Sequence, residues 1–240
     1  MLGEQLAMRG DLAVALSLAG RTVSPSPQAV PVRSGGFGGT AGLVKYLRDH
    51  EIRALIDATH PFAATMSAHA RSAAEQTHTP VLALCRPPWR AIAGDRWIQV
   101  PDAQEAAQAL GSESRRVFLA LGRQEISAFA TAPQHCYLIR SVDPVDPPLA
   151  VPHARYILER GPFGEERERA LLREHEIDVI VAKNSGGEAT YSKMSAARTL
   201  GLPVILLRRP LPLEVPTVAT VAEAMQWLDH VLKAPADRGV

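Results

Sequence analysis

The hydrophobic residues of this chain form short, nearly continuous apolar runs separated by longer amphipathic stretches. Runs of this kind are typical of buried β-strands, and they cover residues 12–20, 54–59, 80–85, 97–100, 117–122, 136–141, 155–159, 177–183 and 203–208. Helical patterns cover residues 41–50, 63–76, 103–110, 124–130, 165–175, 189–200 and 221–232. Strands that alternate with helices of this length predict an α/β fold built on doubly wound parallel sheets.

The sequence also repeats itself. Without gaps, one offset aligns "PVLALCRP" with "PVILLRRP" and "ALIDATHPFAA" with "IDVIVAKNSGG", so that His60 pairs with Lys183. Slightly different offsets align "GGFGG" with "GPFGE" and "VPDAQEAA" with "VATVAEAM". The repeat predicts two similar Rossmann-like domains, residues 1–112 and 113–240, with a cleft between them where the carboxyl ends of the strands meet.

The beginning of the repeat is incomplete in this sequence. Extended backwards, it aligns "GEQLAM" at Gly3 with the segment around Gln124, so a counterpart of the run 117–122 would have to precede Gly3. That strand normally opens a dinucleotide-binding sheet and carries its glycines. We expect either a start codon placed downstream of the true one, a truncation, or a first domain that lacks this strand.

Composition narrows the classes of function. The net charge is +1 and aromatic residues make up 5% of the chain, without a basic run, which argues against nucleic-acid or anionic-membrane partners. No apolar run approaches the roughly 20 residues of a membrane span, and no signal peptide is apparent, so a cytoplasmic location is expected. Cys85 and Cys136 lie far apart in apolar runs and are predicted to be reduced core thiols, with no metal or disulfide.

Polar residues follow two equivalent strands of the repeat. Asp57, Thr59 and His60 end the run 54–59, and "KNSGG" from Lys183 ends its counterpart. A lysine, an amide, a hydroxyl and two glycines before a helix offer charge, donors and close backbone approach to an anion. The alternative is that both segments are ordinary turns.

Two further segments favour a dinucleotide. "SGGFGG" is a glycine-rich loop before a predicted helix, although it is not the spaced dinucleotide fingerprint and follows no obvious long strand. "SLAGRT" ends the run 12–20 with Arg21 and Thr22. An arginine at this place accommodates the additional phosphate of NADP, whereas NAD sites carry an acid, so Arg21 favours NADPH. A solvated surface arginine is the alternative.

These motifs carry a family resemblance. In order, "SLAGRT", "GGFGG", "DATHPFA", "RPPW", "RGPF", "KNSGG" and the segment 196–210 resemble the precorrin-6A reductase family, which includes the cobalt-precorrin-6A reductases of cobalamin biosynthesis. The resemblance extends over nearly the whole chain from about Leu12. The family normally begins with an apolar strand, a Gly-Gly-Thr-like turn and an acidic residue, whereas here only "LGEQLA" remains, with Glu4 at the acidic position.

The resemblance implies two Rossmann-like domains and the NADPH-dependent reduction of one macrocycle double bond, converting precorrin-6A to precorrin-6B. It implies an anionic tetrapyrrole as the partner and handover to other enzymes of the corrin pathway. The cofactor-binding residues that it suggests are Arg21, Thr22, Gly36, Phe37, Gly38, Thr59, His60, Ser185, Gly186 and Gly187.

Reduction of a conjugated double bond requires a hydride, a proton and no metal. His60 is the candidate proton donor, with Asp57 orienting its ring and Lys183 steadying developing charge. Equally, solvent could deliver the proton while His60 only binds the cofactor. Basic residues at strand ends are candidates for binding the substrate carboxylates, namely Arg86, Arg123, Arg140, Arg160, Lys183, Lys193 and Arg209. A different NADPH oxidoreductase and a non-catalytic tetrapyrrole binder are the alternative functions.

Overall fold

A computed structural model describes residues 2–20, 26–211 and 214–233. The strands are β1 (Leu16–Leu18), β2 (Val32–Ser34), β3 (Leu55–Asp57), β4 (Val81–Leu84), β5 (Arg96–Val100), β6 (Arg116–Ala120), β7 (Cys136–Ser141), β8 (Ala154–Leu158), β9 (Val179–Lys183), β10 (Pro203–Leu207) and β11 (Thr217–Val218). The helices are α1 (Leu2–Ala7), α2 (Gly39–Asp49), α3 (Ala64–Thr77), α4 (Ala103–Ala109), α5 (Arg123–Ile126), α6 (Glu165–Glu174), α7 (Ser192–Leu200) and α8 (Val221–Lys233), with a 3-10 helix at Ser127–Thr131.

The chain divides into two compact units. Unit 1 comprises Met1–Arg86 and Leu211–Val240, and unit 2 comprises Pro87–Pro210. Every strand pair in both units is parallel, as the alternation of strands and helices predicted. Within the described ranges, no helix is both long enough and apolar enough to cross a bilayer.

Unit 2 contains one six-stranded sheet in the order β5-β10-β9-β6-β7-β8. From β6 the chain runs outwards through β7 and β8, then returns to the other side of β6 with β9 and β10, which is the order of a Rossmann fold. Both faces of the central strands are buried: Phe118 and Ile180 on one face, and Val117 and Val181 on the other, are fully inaccessible to solvent. The strand order reverses between β6 and β9, where such folds bind ligands.

Unit 1 contains two smaller sheets, β1-β2 and β11-β4-β3. Helices α2 and α3 pack together through Leu43, Leu47, Ala70 and Ala73, all of them buried. Alanine on the facing side of α3 lets the two helices approach closely.

The internal repeat is visible in the topology of the two units. The succession β1, β2, α2 in unit 1 parallels β7, β8, α6 in unit 2, and β3, α3, β4 parallels β9, α7, β10. Strand β6 of unit 2 stands between β7 and β9, whereas no strand among the described residues joins β1 to β3.

The two units differ from the predicted domains 1–112 and 113–240. Strand β5 precedes residue 112 but pairs with β10 of unit 2, with Ile98 opposite Ile205. Strand β11 lies near the end of the chain but pairs with β4 of unit 1, with Val218 opposite Leu84. Each unit therefore takes one edge strand from the segment that follows the strands of the other unit in the sequence: β5 follows β4 of unit 1, and β11 follows β10 of unit 2.

Candidate functional site

The "GGFGG" segment forms a glycine loop, Gly35–Gly39, between β2 and the first residue of α2. Three of its glycines have positive φ: +109° at Gly35, +81° at Gly38 and +82° at Gly39. A Cβ atom added at Gly35, Gly36, Gly38 or Gly39 would meet no other atom within 4 Å, so these residues face open space. The loop exposes backbone that a ligand can approach closely, which side chains would obstruct.

Arg33 on β2 holds the glycine loop. Its guanidinium donates hydrogen bonds to the carbonyl oxygens of Gly35 (2.5 Å) and Gly36 (2.7 Å). The same group lies 4.0 Å from the centre of the Phe37 ring. Arg33 was not among the residues predicted from the sequence. Its place two residues before a glycine-rich loop was the one local feature that could have indicated it.

The end of β1 approaches the same loop. The backbone N–H of Gly35 donates to the Leu18 carbonyl at 2.9 Å, and a Cβ atom at Gly20 would lie only 3.2 Å from the Gly35 nitrogen. The segment "SLAGRT" therefore lies next to "GGFGG" up to Gly20, the last of its residues that the structure describes. Arg21 and Thr22, the candidates for recognising the additional phosphate, lie outside the described residues.

The turn after β3 carries the predicted acid and imidazole. The Asp57 carboxylate accepts a hydrogen bond from the Thr59 N–H at 3.0 Å, and the Thr59 and Ser67 hydroxyl groups lie 3.2 Å apart. The Nδ1 atom of His60 accepts from the Phe62 N–H at 3.2 Å, which places the proton of the neutral ring on Nε2. The hydrogen bond from the Thr59 N–H shows that Asp57 orders the turn, and orientation of the imidazole by Asp57 stays a prediction.

Lys183 lies at the strand-order reversal of unit 2. It is the last residue of β9, and its ammonium group forms an ion pair with the Glu125 carboxylate of α5, beside the end of β6. A Cβ atom at Gly122 would lie 2.8 Å from Glu125 Oε2 and 3.4 Å from Lys183 Nζ. The ion pair therefore lies directly over the Gly122 backbone, at the place where parallel sheets of this order bind ligands.

The "KNSGG" segment forms a lysine loop, Lys183–Gly187, that is tied to the "RPPW" segment. The buried Asn184 side chain accepts from the Trp89 N–H at 2.8 Å and donates to the Trp89 carbonyl at 3.0 Å. The Trp89 indole N–H donates to the Gly187 carbonyl at 2.8 Å. A Cβ atom at Gly186, where φ is +66°, would lie 2.1 Å from the Pro87 carbonyl oxygen.

Arg209, two residues after the end of β10, reinforces the lysine loop. Its guanidinium donates to the carbonyl oxygens of Asn184 (2.8 Å), Ser185 (2.9 Å) and Pro87 (3.3 Å). Because all three acceptors are backbone carbonyl groups, these contacts hold the lysine loop in its conformation. Binding of substrate carboxylates by Arg209 stays a prediction.

Arg140 and Lys193 lie inside unit 2, in contrast to the predicted surface role of binding substrate. Arg140 makes a bidentate ion pair with Glu168 (2.5 and 3.0 Å) and stacks on Phe163 at 3.8 Å, with 6% of its side chain exposed. Lys193 is also buried, donates to the Thr190 carbonyl at 2.6 Å and lies 5.1 Å from the Trp89 ring. Burial, helped by the positive charge of Arg140, lowers the pKa of Lys193 to about 7.

The other predicted basic residues are exposed. Arg86 precedes the "RPPW" tryptophan, Arg123 begins α5 after Gly122, and Arg160 follows β8 in the "RGPF" segment. Among the described residues, Cys85 and Cys136 form no disulfide bond. Within the described ranges, no three His, Cys, Asp or Glu side chains are grouped so as to hold a metal ion.

These features define the class as a Rossmann-like α/β protein with an open glycine loop after β2 and a second, partly buried glycine-containing loop after β9. A family model described as precorrin-6x reductase CbiJ/CobK matches residues 1–229. A precorrin-6A reductase of Sinorhizobium sp. is 55% identical over 222 residues, which cover 92% of this chain and 85% of that protein. A precorrin-6A reductase of Rhodobacter capsulatus is 50% identical over 230 residues, with 95% and 91% covered.

A solved structure described as CobK precorrin-6A reductase matches the fold with a TM-score of 0.92 and 48% identity, covering 100% of this chain and 94% of that one. The chain therefore belongs to the precorrin-6x reductase CbiJ/CobK family. It is an oxidoreductase of cobalamin biosynthesis, and reductases of this kind work with a nicotinamide cofactor.

Proposed function

We propose that this protein uses NADPH to reduce one double bond of the precorrin-6A macrocycle, giving precorrin-6B. The observation that carries the proposal is the family match over residues 1–229, which includes both the glycine loop and the lysine loop. Relatives named precorrin-6A reductase are 44–55% identical, whereas those named cobalt-precorrin-6A reductase are 29–30% identical. The difference favours the metal-free substrate.

The glycine loop fits a dinucleotide. Its open backbone, the close approach of Gly20 to Gly35 and the start of α2 together provide space and peptide N–H groups for phosphates. Arg21 and Thr22, which follow Gly20 directly in the sequence, are proposed to bind the additional phosphate of NADPH. Further proposed cofactor contacts are Gly36, Phe37, Gly38, Thr59, His60, Ser185, Gly186 and Gly187. When bound, NADPH supplies the hydride.

Substrate carboxylates are proposed to bind the basic residues that reach the surface. Lys183 lies at the strand-order reversal of unit 2, and Arg123 follows Gly122 at the same place. Arg86 and Arg160 are the exposed arginines of the "RPPW" and "RGPF" segments. Arg140, Lys193 and Arg209 are proposed to act indirectly, by shaping the structure on which these residues stand.

The reaction also requires a proton. In the described turn, the Nδ1 atom of His60 faces the Phe62 N–H, and an imidazolium would place a second N–H group against it. This geometry favours His60 as a hydrogen-bond donor through Nε2, with the proton coming from solvent. Lys183 is proposed to stabilise negative charge that develops on the macrocycle.

An anaerobic assay with precorrin-6A tests this function. We expect loss of NADPH absorbance, a product that carries two additional hydrogen atoms, and slower turnover with NADH. Arg21→Ala should remove most of the preference for NADPH over NADH, whereas Arg53→Ala, an exposed arginine on the same unit, should retain it. Binding of precorrin-6A without any consumption of NADPH would instead favour a non-catalytic tetrapyrrole binder.

A further inference from the structure

Arg33 has an unusual set of partners for an arginine beside an open loop. Its guanidinium donates to the carbonyl oxygens of two consecutive residues, Gly35 and Gly36, and to the Ser17 hydroxyl at 3.4 Å. The ion pairs of the described residues do not include Arg33. Its positive charge is therefore directed at backbone dipoles, beside a loop that faces open space.

These two contacts determine the direction of two peptide groups. In a trans peptide unit the C=O and the following N–H point in opposite directions. Because Arg33 binds the carbonyl oxygens of Gly35 and Gly36, the N–H groups of Gly36 and Phe37 point away from the guanidinium. The hydrogen bonds of the described residues include none from these two N–H groups.

Aromatic packing fixes Arg33 in this position. The guanidinium lies over the Phe37 ring at 4.0 Å, and the Tyr46 ring of α2 is 5.7 Å away. Phe37 and Tyr46 meet edge to face, with ring centres 5.2 Å apart. Arg33 therefore connects β2, the glycine loop and the first turns of α2, and a lysine could not reproduce both the planar stacking and the paired donors.

We propose that Arg33 is a positioning residue, which orients the N–H groups of Gly36 and Phe37 towards a phosphate of the dinucleotide. This inference rests on the proposed use of NADPH and adds a residue that the motifs did not indicate. Arg21 is proposed to distinguish NADPH from NADH, whereas Arg33 strengthens the binding of both, since both carry the pyrophosphate.

The test compares Arg33→Gln and Arg33→Lys with Arg48→Ala. Arg48 is a matched control, because it also donates from unit 1 to a backbone carbonyl, that of Gln76, away from the glycine loop. Fluorescence titrations give the Kd of NADPH and of NADH, and hydrogen exchange reports on the amides of residues 35–39. The far-ultraviolet circular dichroism of each variant must match the wild type.

We expect Arg33→Gln to raise the Kd of both nucleotides about tenfold or more, with an unchanged ratio and faster amide exchange in the glycine loop. Arg33→Lys should be intermediate and Arg48→Ala unchanged. Unaltered Kd values for Arg33→Gln would overturn the inference, as would a changed NADPH to NADH ratio, which would assign Arg33 to the additional phosphate. If the wild type binds neither nucleotide, the proposed function fails, and unaltered loop exchange would separately refute positioning by Arg33.

Discussion

Asn184 and Trp89 are joined in both directions, because the side-chain amide of Asn184 accepts from the Trp89 backbone N–H and donates to the Trp89 carbonyl. The amide thereby gives the Trp89 backbone the two hydrogen bonds that a residue of a neighbouring β-strand would otherwise provide. This pair attaches the lysine loop to the "RPPW" segment across 95 positions of sequence. It gives these two family motifs a common structural role.

Asn184→Ala should loosen the lysine loop. The substitution leaves a buried N–H and a buried carbonyl of Trp89 without their partners, at a cost of about 1–3 kcal/mol in unfolding free energy. Because Lys183 is the preceding residue, kcat/KM should also fall by about tenfold. Urea unfolding and steady-state kinetics measure the two effects. An unchanged unfolding free energy and kcat/KM would show that the pair is dispensable.

Gly186→Ala should be much more damaging than Gly201→Ala. Both glycines have a φ of +66°, so both substitutions carry the backbone strain of about 1 kcal/mol. Only at Gly186 would the new Cβ overlap the Pro87 carbonyl oxygen, whereas it would face open space at Gly201. We expect unfolding free energy to fall by at least about 1 kcal/mol more for Gly186→Ala, and equal losses would mean that the loop moves freely away from Pro87.

Lys193 should give the protein a pH-dependent stability. Its pKa is lowered from an ordinary value of 10.5 to about 7 by burial and by Arg140, against the opposing effect of Glu168. Between these pH values the unfolded chain binds one more proton than the folded protein, so stability rises with pH by up to about 1.4 kcal/mol per pH unit. Below the folded-state pKa both states are protonated, and the destabilisation caused by Lys193 reaches its full size.

Lys193→Met removes this titration while preserving most of the buried volume. The unfolding free energy of the variant, measured by denaturant at pH values from about 7 to 9, should depend less steeply on pH than that of the wild type. The variant should gain most relative to the wild type at the lower end of this range. Parallel curves for the two proteins would show that Lys193 keeps its ordinary pKa in the fold.

Lys183→Met should affect substrate and cofactor differently. Loss of the ammonium group removes a proposed contact with the macrocycle, so KM for precorrin-6A should rise and kcat should fall, each by about tenfold. The Kd of NADPH should change less than threefold. Lys45→Met, which removes an exposed ammonium paired with Asp49, is the control. A large loss of NADPH affinity with normal substrate KM would reassign Lys183 to the cofactor.

The sequence predicted those elements whose pattern is local. Strand β7 was placed at its observed bounds, residues 136–141, because it is one continuous run between polar residues. Strand β2 was missed because "VRS" is three residues long and has a single apolar residue. Strand β5 was predicted but fell within the first predicted domain, and the two-residue strand β11 was not predicted. Both pair with distant segments of the chain, and local periodicity carries no information about such pairing.

The candidate site was predictable to a similar extent. The lysine loop follows β9, as its motif indicated, whereas the glycine loop follows β2, a strand that the sequence did not predict. Arg140 was expected at the surface because it lies near a strand end, but Glu168 on α6 supplies a buried partner that only tertiary structure brings to it. Arg33 was missed because its partners are carbonyl groups, which every residue possesses.

The most direct test of NADPH-dependent reduction follows the hydride itself. Precorrin-6A is incubated anaerobically with the protein and NADPH that carries deuterium at the transferred position, and the product is examined by mass spectrometry. The expected product is precorrin-6B with one deuterium from the cofactor and one hydrogen from solvent. A product without cofactor deuterium, or recovery of unreduced precorrin-6A from a protein that binds both compounds, would contradict it.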